Sequence, residues 1–352
     1  MTFVAVTAAA GALGRAVTAA LAADPHVVRL LGVDVDEPAM PSGRLGFHRG
    51  RLGDAATRAA CDGVDVLVHL GAVPTRSAGA ADPDADVVGG TREALALAQA
   101  CGAGAFVFVS TALVYGAHAD NPVPLTEDDP VRADPAVPEA YHAALAEEAV
   151  MAFAAANPAV TVTLLRPASI LGEDADTHLS RLLEAWRPPS VAGYAPPLQA
   201  VAVEDVASAV HRVVADRLGG VFNVAPDGWL TARDVAVLTG RRPLRLPEAT
   251  ARGALSALRR SAGKVHAAGV FTSPGDLDVL MHPWVIDAGR LRAHGWSAQR
   301  SNREVLRSAA RRHRPWVRIG ALRLRRRVLY AAFVGMTFVL AGFVLRTFGR
   351  RC

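Results

Sequence analysis

The stretch that most constrains this chain runs from Phe3 to Asp34: F-V-A-V-T-A-A-A-G-A-L-G-R-A-V, an alanine-rich run, then V-V-R-L-L-G-V-D. It encodes a short apolar strand, a turn of small residues, a helix and a second strand. Such a turn lets the backbone approach a pyrophosphate, the helix N-terminus faces the negative charge, and an acidic residue about 20 positions on takes the ribose hydroxyls. Gly11 and Gly14 stand in the turn and Asp34 ends the second strand. The pattern predicts half of a dinucleotide crevice. An aspartate at that place favours NAD over NADP, because it repels a 2′-phosphate.

The same alternation continues through the first half. A third strand is expected near Phe47, a helix from Ala55 to Cys61, a buried strand over Val64–Leu70, a helix from Ala85 to Ala100 and a strand over Phe106–Ser110. Continuous apolar runs belong to strands covered on both faces, and their alternation with helices builds a doubly wound parallel sheet, the Rossmann type of α/β fold. Ligands of such sheets lie outside the carboxyl ends of the strands. Gly71-Ala72 lets the chain pass close over a bound cofactor. The segment His118–Glu139, rich in Pro, Asp and Ala, reads as a loop over the crevice. A helix then opens at Tyr141 and runs to about Ala156, followed by a strand over Thr161–Arg166 that stops at Pro167. Pro188, Pro189, Pro196 and Pro197 mark loops of a smaller lobe, with helices over Val203–Ala215 and Thr231–Leu238 and a strand over Gly220–Val224.

The formal charge of +5 comes largely from basic residues crowded towards the C-terminus. They form no face with interleaved aromatics, which argues against a nucleic-acid partner. Cys61, Cys101 and Cys352 have neither disulfide-framework nor metal-ligand spacing, so no metal is expected and the globular part reads as cytosolic and reduced. Val328–Leu345 is an uninterrupted uncharged run. As a helix it would measure about 27 Å against a hydrocarbon core of about 30 Å. Eight arginines lie from Arg311 to Arg327 and three follow the run. This asymmetry predicts a single-pass cell-membrane protein with its globular domain in the cytoplasm. The expected organisation is a dinucleotide-binding domain over 1–165, and a smaller lobe over 166–300 interleaved with the end of the Rossmann sheet. A basic linker over 301–327, a transmembrane helix over 328–345 and a short tail over 346–352 complete it.

Several ordered motifs carry a resemblance. They are T-A-x-x-G-x-x-G at Thr7–Gly14, D-V-L-V-H-L-G-A at Asp65–Ala72, V-S-T-A-L-V-Y-G at Val109–Gly116, L-L-R-P-A-S-I-L-G at Leu164–Gly172, V-A-V-E-D-V-A at Val201–Ala207 and V-F-N-V-A at Val221–Ala225. Over roughly residues 1–300 the chain resembles the extended short-chain dehydrogenase/reductase family, the NAD-dependent epimerases and dehydratases. The resemblance implies a cofactor held by Thr7, Gly11, Leu13, Gly14, Asp34, Asp54, Leu70, Gly71, Ala72 and Pro167. It implies Thr111 as the hydrogen-bonding Ser/Thr and Tyr141 as the acid/base. Three positions depart from the family pattern. Leu145 stands where a lysine should lower the tyrosine pKa, and a tyrosine titrating near ~10 needs roughly 4 kcal/mol to reach the phenolate at neutral pH. Ala8 replaces the first turn glycine, which alanine tolerates only at negative φ. Arg51 replaces the first acid of the adenine-side pattern. The single lysine, Lys264, lies outside every matching motif.

The implied activity is a membrane-anchored NAD(P)-dependent oxidoreductase acting on a sugar nucleotide or lipid-like alcohol. The alternative is a catalytically retired dinucleotide-binding scaffold or sensor, which Leu145 favours. The expected partners are a small-molecule or lipid-linked substrate, the membrane and a second copy of the chain forming a homodimer.

Overall fold

A single sheet of seven parallel strands organises the computed structural model, which describes residues 1–36, 45–71, 85–172, 177–185, 187–261, 275–313, 316–319 and 322–325. Its first six strands are β1 (Thr2–Thr7), β2 (Val27–Asp34), β3 (Leu45–Arg49), β4 (Val66–His69), β5 (Ala105–Val109) and β6 (Thr161–Pro167). Three short strands follow, β7 (Ser169–Leu171), β8 (Pro189–Val191) and β9 (Ala200–Ala202), before β10 (Gly220–Val224) returns to the sheet. The order is β10-β6-β5-β4-β1-β2-β3. The chain therefore reverses direction across the sheet between β1 and β4, and the crevice at that switch point is where a doubly wound sheet takes its ligand.

Helices α1 (Ala12–Ala22), α2 (Ala55–Ala60), α3 (Ala85–Ala100), α4 (Pro138–Ala156), α5 (His178–Glu184) and α6 (Val203–Ala215) punctuate these strands. On one face Leu13, Val17 and Leu21 of α1 pack with Val206, Val210 and Val213 of α6. On the other, Leu95 and Ala98 of α3 meet Ala143, Ala146 and Val150 of α4 over Phe106 and Phe108. Both faces being covered explains why β1, β4 and β5 read as unbroken apolar runs rather than alternating ones. The smaller lobe adds α7 (Ala232–Thr239), β11 (Leu244–Leu246), α8 (Glu248–Ser261), α9 (Asp276–Val279) and α10 (Gly289–Ala293), then α11 (Asn302–His313) and a hairpin of β12 (Trp316–Ile319) and β13 (Leu322–Arg325).

Residues from 301 onward are not all linker. Helix α11 buries Val305, Leu306 and Ala309 against Leu171, Leu179 and Leu183 of the lobe, while its arginines point outward. No helix among the described residues is long and apolar enough to cross a membrane. The run Val328–Leu345 lies outside the described residues, as do Ala72 and Lys264.

Candidate active site

The turn after β1 is built for close backbone approach. Gly11 is the N-cap of α1 in extended conformation, the helix has no side-chain cap, and its first turn carries no acidic residue. Those orphan amides and the helix dipole make a ready seat for an anion. Gly14 is indispensable to the geometry: a Cβ there would lie 2.3 Å from the Ala8 carbonyl oxygen and 2.6 Å from the Ala9 Cα. Asp34 faces the turn from the end of β2. Its Oδ2 accepts from the Ala10 amide at 2.9 Å and its Oδ1 from the Val35 amide at 2.7 Å. Ala8 adopts φ 51°, so the alanine sits in the left-handed region that the expectation of negative φ excluded. Glycine would sit there at lower cost, by the order of 1 kcal/mol.

Across the switch point, β4 ends in a buried relay. Thr7 and His69 are joined at 2.7 Å through Nδ1, and His69 Nε2 lies 3.2 Å from Thr91 Oγ1. Thr91 donates its own proton to the Val87 carbonyl. It must then accept from Nε2–H, which leaves Nδ1 to accept from the Thr7 hydroxyl. Burial pushes the His69 pKa down to about 4. His69 is thus a neutral core residue stacked on Phe108, not a base. Leu70 is buried beside it, and a Cβ on Gly71 would lie 2.3 Å from the His69 ring. The folded pKa lies below the ordinary value of about 6.5, so stability is full above that pH and is lost as the pH falls towards 4. Between pH 7 and pH 5 the expected contribution is on the order of 2 kcal/mol. Urea unfolding at the two pH values measures it; His69→Gln should flatten the difference, and an unchanged slope would rule His69 out as its source.

A pocket opens at the carboxyl ends of β5 and β6. Ser110, Thr111, Pro167, Ala168 and Ser169 line it from the sheet, Glu139 from α4, and Leu179 and Leu182 from α5. Thr111 adopts extended conformation and its Oγ1 accepts from the Leu113 amide, capping a 3₁₀ turn over Ala112–Tyr115. The Ser110 hydroxyl is buried and has no hydrogen-bond partner.

Residues 4–225 match the NAD dependent epimerase/dehydratase family. The chain belongs to that family. An uncharacterized protein of Mycobacterium tuberculosis is 31% identical over 251 residues, 69% of this chain and 67% of the relative. An uncharacterized protein of Mycobacterium bovis matches to the same extent, at 31% identity over 69% of this chain and 67% of its own length. Among solved structures, MoeE5 in complex with UDP-glucuronic acid and NAD superposes with TM-score 0.65 at 22% identity, over 88% of this chain and 99% of MoeE5. DesIV, a dTDP-glucose 4,6-dehydratase from Streptomyces venezuelae with NAD bound, gives TM-score 0.65 at 21% identity over 89% of this chain and 97% of its own.

Within this epimerase/dehydratase-family site, the sequence-predicted residues fall into groups. Thr7, Gly11, Leu13, Gly14 and Asp34 surround the turn, Leu70 and Gly71 form the opposite lip, and Thr111 and Pro167 line the pocket. Asp54 stands apart at the N-cap of α2, where its Oδ2 accepts from the Arg51 amide at 2.9 Å and closes a local turn. Tyr141 is 37% exposed, and the residue of α4 that lines the pocket is Glu139. Leu145 is half-buried and supplies no cation to Tyr141.

Sequence reasoning missed Ser110 and Glu139 as pocket-lining residues; behind the pocket lies a buried polar network. Arg166 donates to both oxygens of Glu147, the shortest contact being 2.6 Å, and its Nη1 donates to the Tyr115 hydroxyl at 3.0 Å. Tyr115 donates in turn to Asn223 Oδ1 at 2.9 Å, and the Asn223 amide donates to Glu127. Tyr115 and Arg166 are therefore structural, holding α4, β6 and β10 together beneath the pocket floor. The signals for these residues were slight: Ser110 was hidden by the adjacent Thr111, and Glu139 lay in a segment read as loop.

Proposed function

We propose that this chain binds NAD at the β1/β4 switch point and oxidises or reduces an alcohol–carbonyl pair in the pocket beyond it. The reading rests on two features at the carboxyl ends of the strands: the Gly14 turn with Asp34, and the pocket that Ser110 and Thr111 line after β5. The residues present fit a dinucleotide, since a side chain at Gly14 would fill the cradle and α1 keeps its N-terminal amides uncapped. Gly11, Leu13 and Gly14 would seat the pyrophosphate, Asp34 the ribose, and Leu70, Gly71 and Pro167 the far end. When bound, NAD supplies the hydride acceptor. Thr111 would orient the substrate oxygen, and the Glu139 carboxylate, which lines the pocket, would take the hydroxyl proton. A sugar nucleotide is one substrate class in keeping with MoeE5 and DesIV; a lipid-like alcohol is the other.

The expected result in a fluorescence titration is tighter binding of NADH than of NADPH, by tenfold or more. Asp34→Asn should narrow that gap. Equal or stronger binding of NADPH by the wild type would remove Asp34 from the site and overturn the assignment. A second reading, a retired dinucleotide-binding scaffold, is favoured by Leu145 and by the exposure of Tyr141. It predicts NADH binding with no turnover of any alcohol.

Membrane attachment belongs to the same proposal. The uncharged run Val328–Leu345 follows a stretch rich in arginine, and α11 presents Arg307 and Arg311 on its outer face beside Ser308. Such charge suits anionic headgroups. Truncation after Arg327 should move the protein from the carbonate-washed membrane fraction to the supernatant. Release of the full-length chain by carbonate would exclude the anchor.

A further inference from the structure

We infer that the exposed face of helix α11 is a docking surface for an anionic lipid bilayer, which holds the folded domain against the headgroups. It rests on the membrane attachment proposed above, and it names the surface of the folded chain that meets the lipid. Helix α11 buries Val305, Leu306 and Ala309 on one side and exposes Arg303, Glu304, Arg307, Ser308, Arg311 and Arg312 on the other. Four arginines thus face solvent with a single acid among them. Glu304 is engaged at the helix start, accepting from the amide and the hydroxyl of Ser301, and Arg303 is paired with Asp234 of α7. Arg307, Ser308, Arg311 and Arg312 border one open groove together with Glu304. Like charges four residues apart on a helix repel each other, as Arg303, Arg307 and Arg311 do. The helix dipole compensates the cations of the last turn, Arg311 and Arg312, but falls off before Arg307. An anionic surface compensates all of them at once.

The chain beyond α11 and the helix beside it both point to a bilayer. Six more arginines follow α11 before the uncharged run begins at Val328. Strands β12 and β13 pair antiparallel with Trp316 opposite Arg325, so the chain returns to where the hairpin began. Three steps of chain separate His313 from Trp316, and three separate Arg325 from Val328. At about 3.6 Å a step, with about 5 Å across the pair, the run starts within roughly 27 Å of the end of α11. A segment entering a bilayer that close keeps the basic face within reach of the headgroups, and acidic lipids attract cations over about a Debye length. Helix α7, which packs beside α11, exposes Arg233 and Val237, four residues apart and so on one side. Val237 is 71% exposed. A cation beside a protruding aliphatic side chain matches the boundary between headgroups and acyl chains, whereas a nucleic-acid backbone would leave the valine in water. Leu179 of α5 packs in one cluster with Val305 and Leu306 and also lines the pocket. The docked helix and the pocket therefore share α5 as a wall.

The test uses the full-length chain carrying Ser308→Cys and Cys352→Ser, since Cys61 and Cys101 are buried. An environment-sensitive fluorophore is attached at position 308, and the chain is reconstituted into nanodiscs of phosphatidylcholine alone or mixed with phosphatidylglycerol. The expected result is a label shielded from acrylamide on the acidic discs and open to it on the neutral ones, with raised salt abolishing the difference. Each arginine held at an acidic surface is worth about fivefold in binding, so Arg307→Gln with Arg311→Gln should lower the ratio of docked to undocked protein about twentyfold. Arg307→Lys with Arg311→Lys should preserve it, and circular dichroism melts check that both variants remain folded. Equal shielding on the two kinds of disc, or shielding untouched by the glutamine pair, would overturn the inference. Loss of shielding to inorganic phosphate, at an ionic strength where chloride leaves it intact, would assign the face to free phosphate and overturn it too. Displacement by duplex DNA at the same phosphate concentration would overturn it in favour of a nucleic acid. Co-elution with the discs at high salt reads the anchor separately. A chain that stays with both discs without lipid-dependent shielding keeps its anchor and loses this surface, whereas one that leaves neutral discs but is shielded on acidic ones keeps this surface and loses the anchor.

Discussion

Glu147→Ala is expected to cost this protein about 3–5 kcal/mol of stability, the usual result of leaving one member of a buried ion pair uncompensated. The pair is enclosed: the Arg166 and Glu147 side chains are 8% and 5% exposed, and the guanidinium reaches Glu147 through both Nε and Nη2. Removing the carboxylate strands a charge that cannot readily deprotonate or reach water. The damage should spread, because Arg166 also donates to Tyr115, whose hydroxyl links to Asn223 on β10. Urea unfolding measures the loss. The double variant Glu147→Leu with Arg166→Met should recover much of it, since paired apolar replacements of buried ion pairs are often neutral. A loss below about 1 kcal/mol in Glu147→Ala would mean that α4 and β6 are held by packing alone.

The layout of the sheet was legible because its physics is local. β1, β4 and β5 are buried on both sides, so their residues are apolar without interruption, and Gly14 and Asp34 occupy positions fixed by the spacing of one strand–turn–helix–strand unit. What was not legible depended on where a helix begins. The reading opened α4 at Tyr141; the helix starts at Pro138, with Val137 before it as N-cap. Proline suits the first helical position because its missing amide is one that the helix leaves unpaired. Those three extra residues bring Glu139 onto the helix, where it lines the pocket. Ala8 shows the limit from the other side. Its type predicts negative φ, and the tight turn between β1 and α1 overrides that preference. Helix α11 was obscured by its own charge: with arginines at 303, 307, 311 and 312, its buried stripe of Val305, Leu306 and Ala309 is short enough to be lost in a basic segment.

Gly14→Ala should weaken cofactor binding by well over tenfold while leaving a folded protein. The added methyl would meet backbone, the Ala8 carbonyl oxygen at 2.3 Å and the Ala9 Cα at 2.6 Å, so no side-chain rotation can relieve it. Either α1 moves away from the turn or the turn yields. Helix α1 is pinned by Leu13, Val17 and Leu21 in the core with α6, whereas Ala8 already sits at φ 51° in a conformation alanine favours little. The turn should therefore give way, at a stability cost of about 1–3 kcal/mol, as for other overpacked sites. A shift of Ala8 and Ala9 carries the Ala10 amide with it, and that amide holds Asp34 Oδ2 at 2.9 Å. One methyl group thus displaces both the backbone meant for the pyrophosphate and the carboxylate meant for the ribose. NADH affinity should fall by well over tenfold, read by fluorescence titration on a variant whose cooperative melt confirms its fold. Retention of NADH affinity within twofold of wild type would show that the dinucleotide does not lie on this turn.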